Sequence, residues 1–130
     1  MSDENVAVVL AAFAAYLSGD EAGMLAHASP EIVATQFPDQ LDVSDFHGRE
    51  GVSRLMADWV GIWEDWTIEP LSSRSDGELV FVNAVQRGRG KGSGAPMESN
   101  VTFVFTVRGG LIDRWQMFHD EAEARAAVGR

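Results

Sequence analysis

Cysteine is absent from the 130 residues, and bases are scarce, with ten lysines and arginines against twenty aspartates and glutamates. Without cysteine the chain forms no disulfide, no thiolate nucleophile and no zinc site ligated by sulfur. The net charge of −10 repels phosphate backbones, which excludes a general nucleic-acid binder. No apolar run approaches the roughly 18 residues of a membrane span, and the acidic first residues differ from a basic signal-peptide start. We therefore expect a cytoplasmic protein that binds neither nucleic acid nor membrane.

What the sequence does contain is typical of one folded domain. Hydrophobic residues make up 45% and charged residues 23%, which is the balance of a globular chain rather than a disordered one. A chain of this length has room for one core, and it carries no internal repeat and no linker. We therefore treat residues 1–130 as a single domain.

Two stretches have the three- and four-residue apolar spacing of an amphipathic helix. The first runs to Gly19, after which Asp20 is placed to cap a short second helix. The other predicts a long helix over residues 49–64, whose apolar face consists of Val52, Leu55, Met56, Trp59, Val60 and Trp63. We expect this helix to pack on a sheet and to bury Trp59.

Strand patterns dominate the rest of the chain. Strands are predicted over residues 31–37, 66–71, 79–86, 101–107 and 111–118, with a further short one near 43–46. A tight hairpin at residues 108–110 joins the last two, and residues 120–128 form a terminal helical segment that Asp120 caps. This order predicts an α+β fold, a curved antiparallel sheet wrapped around helices to form a cone with an internal cavity.

Four segments of the sequence resemble a known family. They are residues 13–20 (FAAYLSGD), 46–52 (FHGREGV), 103–112 (FVFTVRGGLI) and 118–124 (FHDEAEA). Together they are similar to the SnoaL-like and ketosteroid-isomerase-like members of the nuclear transport factor 2-like superfamily. The resemblance covers almost the whole chain and implies the same cone-shaped fold. It implies no single chemistry, since the superfamily includes isomerases, polyketide cyclases, epoxide hydrolases and binding modules.

The acid and base residues of ketosteroid isomerases have no match in this sequence. Their tyrosine falls near Ala12, their aspartate base at Thr35 or Gln36, and their second acid at Thr102 or Phe103. The resemblance therefore does not imply ketosteroid isomerisation. SnoaL-type cyclases use an aspartate on the late strands with a polar partner, and His119 with Asp120 is the nearest equivalent.

His119 is the candidate catalytic residue. If the last strand keeps the register of the family, Trp115, Met117 and His119 point into the cavity, and an imidazole there is suited to proton transfer. The alternative is a histidine at the cavity mouth that bonds a backbone group. The candidate substrate-binding residues are Tyr16, Thr35, Gln36, Leu55, Met56, Trp59, Trp63, Asn83, Asn100, Thr102, Trp115 and Met117.

Several of these candidates have a structural alternative. The tryptophans either line a pocket for a flat hydrophobic ligand or simply pack the helix on the sheet. Asn83, Asn100 and Thr102 either donate to a ligand oxygen or face solvent or a second subunit. The glycine-rich run at residues 87–94 lacks the spacing of a phosphate loop, and we predict that it forms the tip of a hairpin. The spacing of the histidines and of the aspartates at 39, 42 and 45 predicts no metal site.

The late strands also predict a homodimer. Val101, Phe103, Phe105 and Val107 alternate on one strand and Trp115 and Met117 on the next, so both faces of the sheet need cover. We expect the helices to cover one face and a second subunit the other.

These patterns lead to two functional hypotheses. The first is an enzyme without a cofactor, an isomerase, cyclase or hydrolase that acts on a hydrophobic small molecule in the cavity. The alternative is a module of the same fold that binds such a molecule, or that dimerises, without chemistry.

Overall fold

A computed structural model describes residues 2–37 and 45–130. Over these residues the helices are α1 (Ser2–Leu17), α2 (Glu21–Ala26), α3 (Gly48–Val60) and α4 (Glu121–Val128). The strands are β1 (Ala28–Thr35), β2 (Phe46–His47), β3 (Trp63–Asp76), β4 (Leu79–Gly90), β5 (Pro96–Arg108) and β6 (Leu111–Phe118). The predicted α+β class, with a curved and unclosed sheet, is confirmed.

The six strands form one sheet in the order β2-β1-β6-β5-β4-β3. Neighbouring strands run antiparallel except β1 and β6, which are parallel. The hairpins that connect β3 to β6 require antiparallel pairing, because a short turn reverses the chain. β1 and β6 are far apart in sequence, so no hairpin dictates their direction, and this one pairing departs from the antiparallel sheet that we expected.

Several element bounds differ from those predicted. α3 ends at Val60 with Gly61 as its C-cap, and Trp63, assigned to the helix by its spacing, opens β3 instead. β1 begins at Ala28, so Pro30 lies inside the strand. Its register with β6 shifts between Ala28 and Val33, which leaves room for a residue that has no N–H to donate. Of the strand predicted near 43–46, Asp45 is outside β2, which is Phe46–His47, and residues 43 and 44 lie outside the described residues.

The start of α3 is tied to β1 by a forked hydrogen bond. The guanidinium of Arg49 donates from Nε (3.0 Å) and Nη2 (2.8 Å) to the carbonyl oxygen of Ala28. Because the donor is charged and partly buried, such a pair is stronger than a neutral hydrogen bond. It sets where α3 crosses the inner face of the sheet.

The sheet is buried on both faces. Its inner face, which includes Val82, Phe103 and Phe105, forms the main core with α1 and α3. On its outer face Phe81, Val104 and Phe118 are buried with Ala124 of α4. Alternation along each strand explains how adjacent residues reach opposite cores. α4 thus supplies part of the cover that we expected from a second subunit.

A β-bulge at the start of β3 turns three side chains toward the inner face. The pairing with β4 shifts between Glu64 and Thr67, and Asp65 has a positive φ of 54°. One extra residue restores the alternation on the same side, so Trp63, Trp66 and Ile68 all face inward. Without the bulge, Trp63 and Trp66 would lie on opposite faces of the sheet.

No helix in the described ranges 2–37 and 45–130 is long and apolar enough to cross a membrane. The cytoplasmic location stays a prediction.

Candidate ligand-binding cavity

The helices and the inner face of the sheet enclose a cavity of about 130 Å³, which we call the central cavity. α1 and α2 contribute Val9, Ala12, Phe13, Tyr16, Met24 and Leu25 to its wall. β1, the residues that follow it and α3 contribute Ala28, Ile32, Gln36, Phe37, Val52, Leu55, Met56 and Trp59. The remaining strands contribute Trp66, Ile68, Gln86, Phe103, Phe105, Ile112, Trp115 and Met117. None of these lining residues carries a charge at neutral pH.

One part of the cavity wall is a group of packed aromatic rings. Phe13 contacts the rings of Phe103 and Phe105, with centroids 6.0 Å apart in each case. Phe105 stacks on Trp115 at 6.2 Å and an interplanar angle of 11°. Rings in mutual contact have few alternative rotamers, so this wall is a preformed apolar surface.

Gln86 is the principal polar group of the wall, and two tryptophans hold it. Its Oε1 accepts a hydrogen bond from Nε1 of Trp59 at 2.7 Å and one from Nε1 of Trp66 at 2.9 Å. The side chain is only 5% exposed. α3 provides one of these donors, and the bulge of β3 brings the other onto the same face. No hydrogen bond from its amide nitrogen to any of the described residues is found.

Tyr16 supplies a hydroxyl at the α1 side of the cavity. Its ring meets Trp66 edge-on, with centroids 6.0 Å apart. Burial raises the pKa of this phenol, and the negative charge of Glu21 raises it further. Tyr16 therefore stays protonated at neutral pH and is available as a hydrogen-bond donor.

Trp115 also presents an unused donor. Its Nε1 is buried and has no hydrogen-bond partner among the described residues, and the same holds for Nε1 of Trp63. Buried donors without a partner are uncommon in folded proteins because each one forfeits its hydration. Of the two residues, only Trp115 belongs to the wall of the central cavity.

The structure brings together about half of the predicted site residues. Those in the cavity wall are Tyr16, Gln36, Leu55, Met56, Trp59, Trp115 and Met117. Those outside the wall are Thr35, Trp63, Asn83, Asn100, Thr102 and His119. Trp63 packs edge-on against Trp59 at 5.5 Å, behind the wall rather than in it. Thr35 is the last residue of β1 and lies next to Gln36.

His119 lies outside the cavity wall, next to a residue that belongs to it. It is exposed, and its ring stacks on Phe37 with centroids 4.6 Å apart and an angle of 11°. β6 ends at Phe118, so the alternation that was expected to turn His119 inward no longer applies at this position. The backbone N–H of His119 instead donates to the carboxylate of Glu123 in α4.

Asn83 and Thr102 face the outer side of the sheet, where they join a polar network with α4. The hydroxyl of Thr102 donates to Oδ1 of Asn83 at 2.6 Å. Nδ2 of Asn83 donates to Glu121 at 2.8 Å, and Arg74 bonds the same carboxylate at 3.1 Å. These bonds hold the pKa of Glu121 below its usual value, chiefly through Asn83. Asn100 is exposed on β5.

Among the wall residues that sequence reasoning did not include in the site, Gln86 is the one with a side-chain amide. It follows Val80, Val82 and Ala84 at two-residue spacing in a strand rich in valine. This parity places its side chain on the same face as those three buried residues, so the signal was present. Among the described residues, no group of three histidine, aspartate or glutamate side chains could hold a metal ion.

Comparison with known proteins identifies the family. The SnoaL-like domain model matches residues 9–115, and the chain therefore belongs to the SnoaL-like family within the nuclear transport factor 2-like superfamily. A sequence search of curated proteins finds no match.

Solved structures confirm the shared fold. A nuclear transport factor 2-like protein of unknown function from Burkholderia pseudomallei K96243 has 20% identity over 100% of both chains and a TM-score of 0.80. A putative SnoaL-like polyketide cyclase from Jannaschia sp. CCS1 has 18% identity over 98% of this chain and 92% of its own, with a TM-score of 0.80. TerC, co-crystallised with polyporic acid, has 17% identity over 98% and 99% of the two chains, with a TM-score of 0.78.

Proposed function

We propose that this protein binds a small, ring-containing apolar molecule in the central cavity. The observation that carries the proposal is the wall itself, which is aromatic and aliphatic and has a few fixed polar groups. Concave apolar walls with sparse polar groups are the usual form of small-molecule sites. The structure of TerC adds support, because that protein has the same fold and was co-crystallised with a small molecule, polyporic acid.

The size of the cavity limits the ligand. A cavity of about 130 Å³ compares with an engineered cavity of roughly 150 Å³ that stays dry and binds benzene. The part of a ligand enclosed by this wall is therefore about one ring with short substituents. A larger ligand would extend beyond this wall, for example past the lining residue Phe37, on which His119 stacks.

A cavity-filling substitution tests this proposal. Ala12 on α1 lies in the wall, so Ala12→Phe should occupy the space of the ligand. Leu10→Phe is the matched control, since Leu10 is on the same helix but 38% exposed. We expect saturable binding of 4-fluorotoluene, followed by fluorine NMR, to the wild type and to Leu10→Phe but not to Ala12→Phe. Binding to all three proteins, or to none, would refute the proposal.

An enzymatic role is the second candidate, and the stacking of His119 on Phe37 favours it. This contact places the imidazole of His119 against the ring of Phe37, which belongs to the cavity wall. A ligand that extends past Phe37 would meet the imidazole, which would then transfer the proton in an isomerase- or cyclase-type reaction. Once a turnover assay exists, His119→Ala should lower the rate by about 10²-fold or more, whereas a pure binding protein would show no turnover to lose.

A further inference from the structure

We infer that the ligand of the central cavity carries a hydrogen-bond-acceptor oxygen, of the carbonyl type, and that the amide nitrogen of Gln86 binds it. The inference rests on the proposed function, because it specifies the chemistry of the molecule that the cavity holds. It makes Gln86 a specificity-determining residue.

The two tryptophans determine which end of the Gln86 amide faces the cavity. An indole N–H only donates, so both Trp59 and Trp66 must meet the oxygen of the amide and not its nitrogen. Their bonds of 2.7 and 2.9 Å fill both lone-pair directions of Oε1. A flipped amide would put two donors against an NH₂ group and lose both bonds. The amide therefore offers the cavity two N–H groups and no acceptor.

These N–H groups have no hydrogen-bond partner in the described part of the chain. No hydrogen bond from Nε2 to any described residue is found, and Gln86 is 5% exposed within an apolar wall. Nε2 is not among the fully buried side-chain atoms that lack a partner, so it stays accessible and can donate to a molecule in the cavity. Nε1 of Trp115, elsewhere in the wall, is a second unpaired donor. The cavity wall thus contains hydrogen-bond donors that lack an acceptor, and a ligand oxygen would supply one.

The charge of the wall restricts the kind of oxygen. No lysine or arginine of the described ranges 2–37 and 45–130 lines the cavity, so a carboxylate or phosphate ligand would bury its charge unpaired. A neutral carbonyl accepts two hydrogen bonds without this cost. A ketone, ester or quinone oxygen on an apolar ring therefore fits the wall, and an alkene of the same shape lacks the acceptor that Gln86 requires.

A pair of isosteric probes tests this requirement. 4-Fluoroacetophenone and 4-fluoro-α-methylstyrene differ in one group, because the carbonyl oxygen of the ketone is a =CH₂ group in the alkene. Fluorine NMR measures the affinity of each. In Gln86→Met, which keeps the length of the side chain, we expect the ratio of ketone affinity to alkene affinity to fall about tenfold, the effect of one hydrogen bond. Leu10→Met, on α1 outside the wall and 38% exposed, should leave the ratio within about twofold of wild type.

Gln86→Met also leaves the indole N–H groups of Trp59 and Trp66 without their acceptor. A second variant therefore separates an effect on binding from a folding defect. Trp59→Phe/Trp66→Phe removes the donors that orient the amide and leaves Gln86 in place. The freed amide can turn its oxygen to the cavity, and we expect the ratio to fall here too, by roughly threefold or more.

The outcomes separate the two proposals. A ratio that is unchanged in both variants, or a wild type that binds the alkene but not the ketone, overturns the role of Gln86 and leaves the binding function intact. Failure of the wild type to bind either probe overturns the binding function and this inference with it.

Discussion

Gly88 faces the bulge that brings Trp66 to Gln86, and its substitution by alanine tests whether the bulge organises the cavity. A Cβ at position 88 would lie 3.3 Å from the carbonyl oxygen of Glu64, 3.3 Å from Cβ of Trp63 and 3.5 Å from Cα of Trp66. All three atoms belong to the bulged segment and cannot move as a flexible side chain would. The methyl group therefore fits only if the bulge itself shifts.

Two opposing terms set the size of the effect. Forcing a methyl group into a packed site costs typically about 1–3 kcal/mol. Alanine also narrows the unfolded ensemble, which stabilises the protein by about 0.4–1 kcal/mol. We therefore expect Gly88→Ala to lower the free energy of unfolding by about 1.3 kcal/mol, the difference between the midpoints of these two terms.

Gly90→Ala is a matched control on the same strand and face. Its Cβ would lie 2.7 Å from Oγ of Ser93, the end of a side chain that can rotate away. We expect no loss of stability beyond about 0.5 kcal/mol. Urea unfolding of both variants, followed by tryptophan fluorescence, gives the comparison. If Gly88→Ala proves no less stable than Gly90→Ala, the bulge is not constrained as we describe.

Two other predictions concern the outer face of the sheet. Because hydrogen bonds from Asn83 and Arg74 depress the pKa of Glu121, its stabilising effect is present above the unfolded pKa and is lost as pH falls through the folded one. Glu121→Gln should therefore lose less stability than the wild type between about pH 6 and about pH 3, and equal slopes in urea unfolding would contradict this. We also expect a homodimer through the outer face beside α4; sedimentation that gives a stable 14.1 kDa species at micromolar concentration would refute it.

The helical elements could be predicted because their signals are local. The apolar face of α3 was evident in the spacing of Val52, Leu55 and Met56, and the cap of α4 in the position of Asp120. The end of α3 could not be predicted in the same way. Trp63 follows Trp59 by four residues, which suits a helix, but it equally suits the first inward position of a strand. The glycine at 61 and the pairing with β4 decide between them, and the pairing is a long-range property.

For the candidate site, too, the local features could be predicted from the sequence and the long-range ones could not. The parity of Gln86 within β4 can be predicted from two-residue spacing, so its inward orientation was available from the sequence. Its role was not, because that role depends on Trp59 from α3 and on Trp66, which reaches the same face only through an extra residue at Asp65. A positive φ at a residue other than glycine leaves no reliable trace in composition or periodicity. The position of His119 likewise depends on where β6 ends, a boundary that alternation alone does not define. Predicting this cavity from sequence therefore requires locating strand irregularities, since a one-residue shift exchanges the side chains that face the cavity for those on the outer face of the sheet.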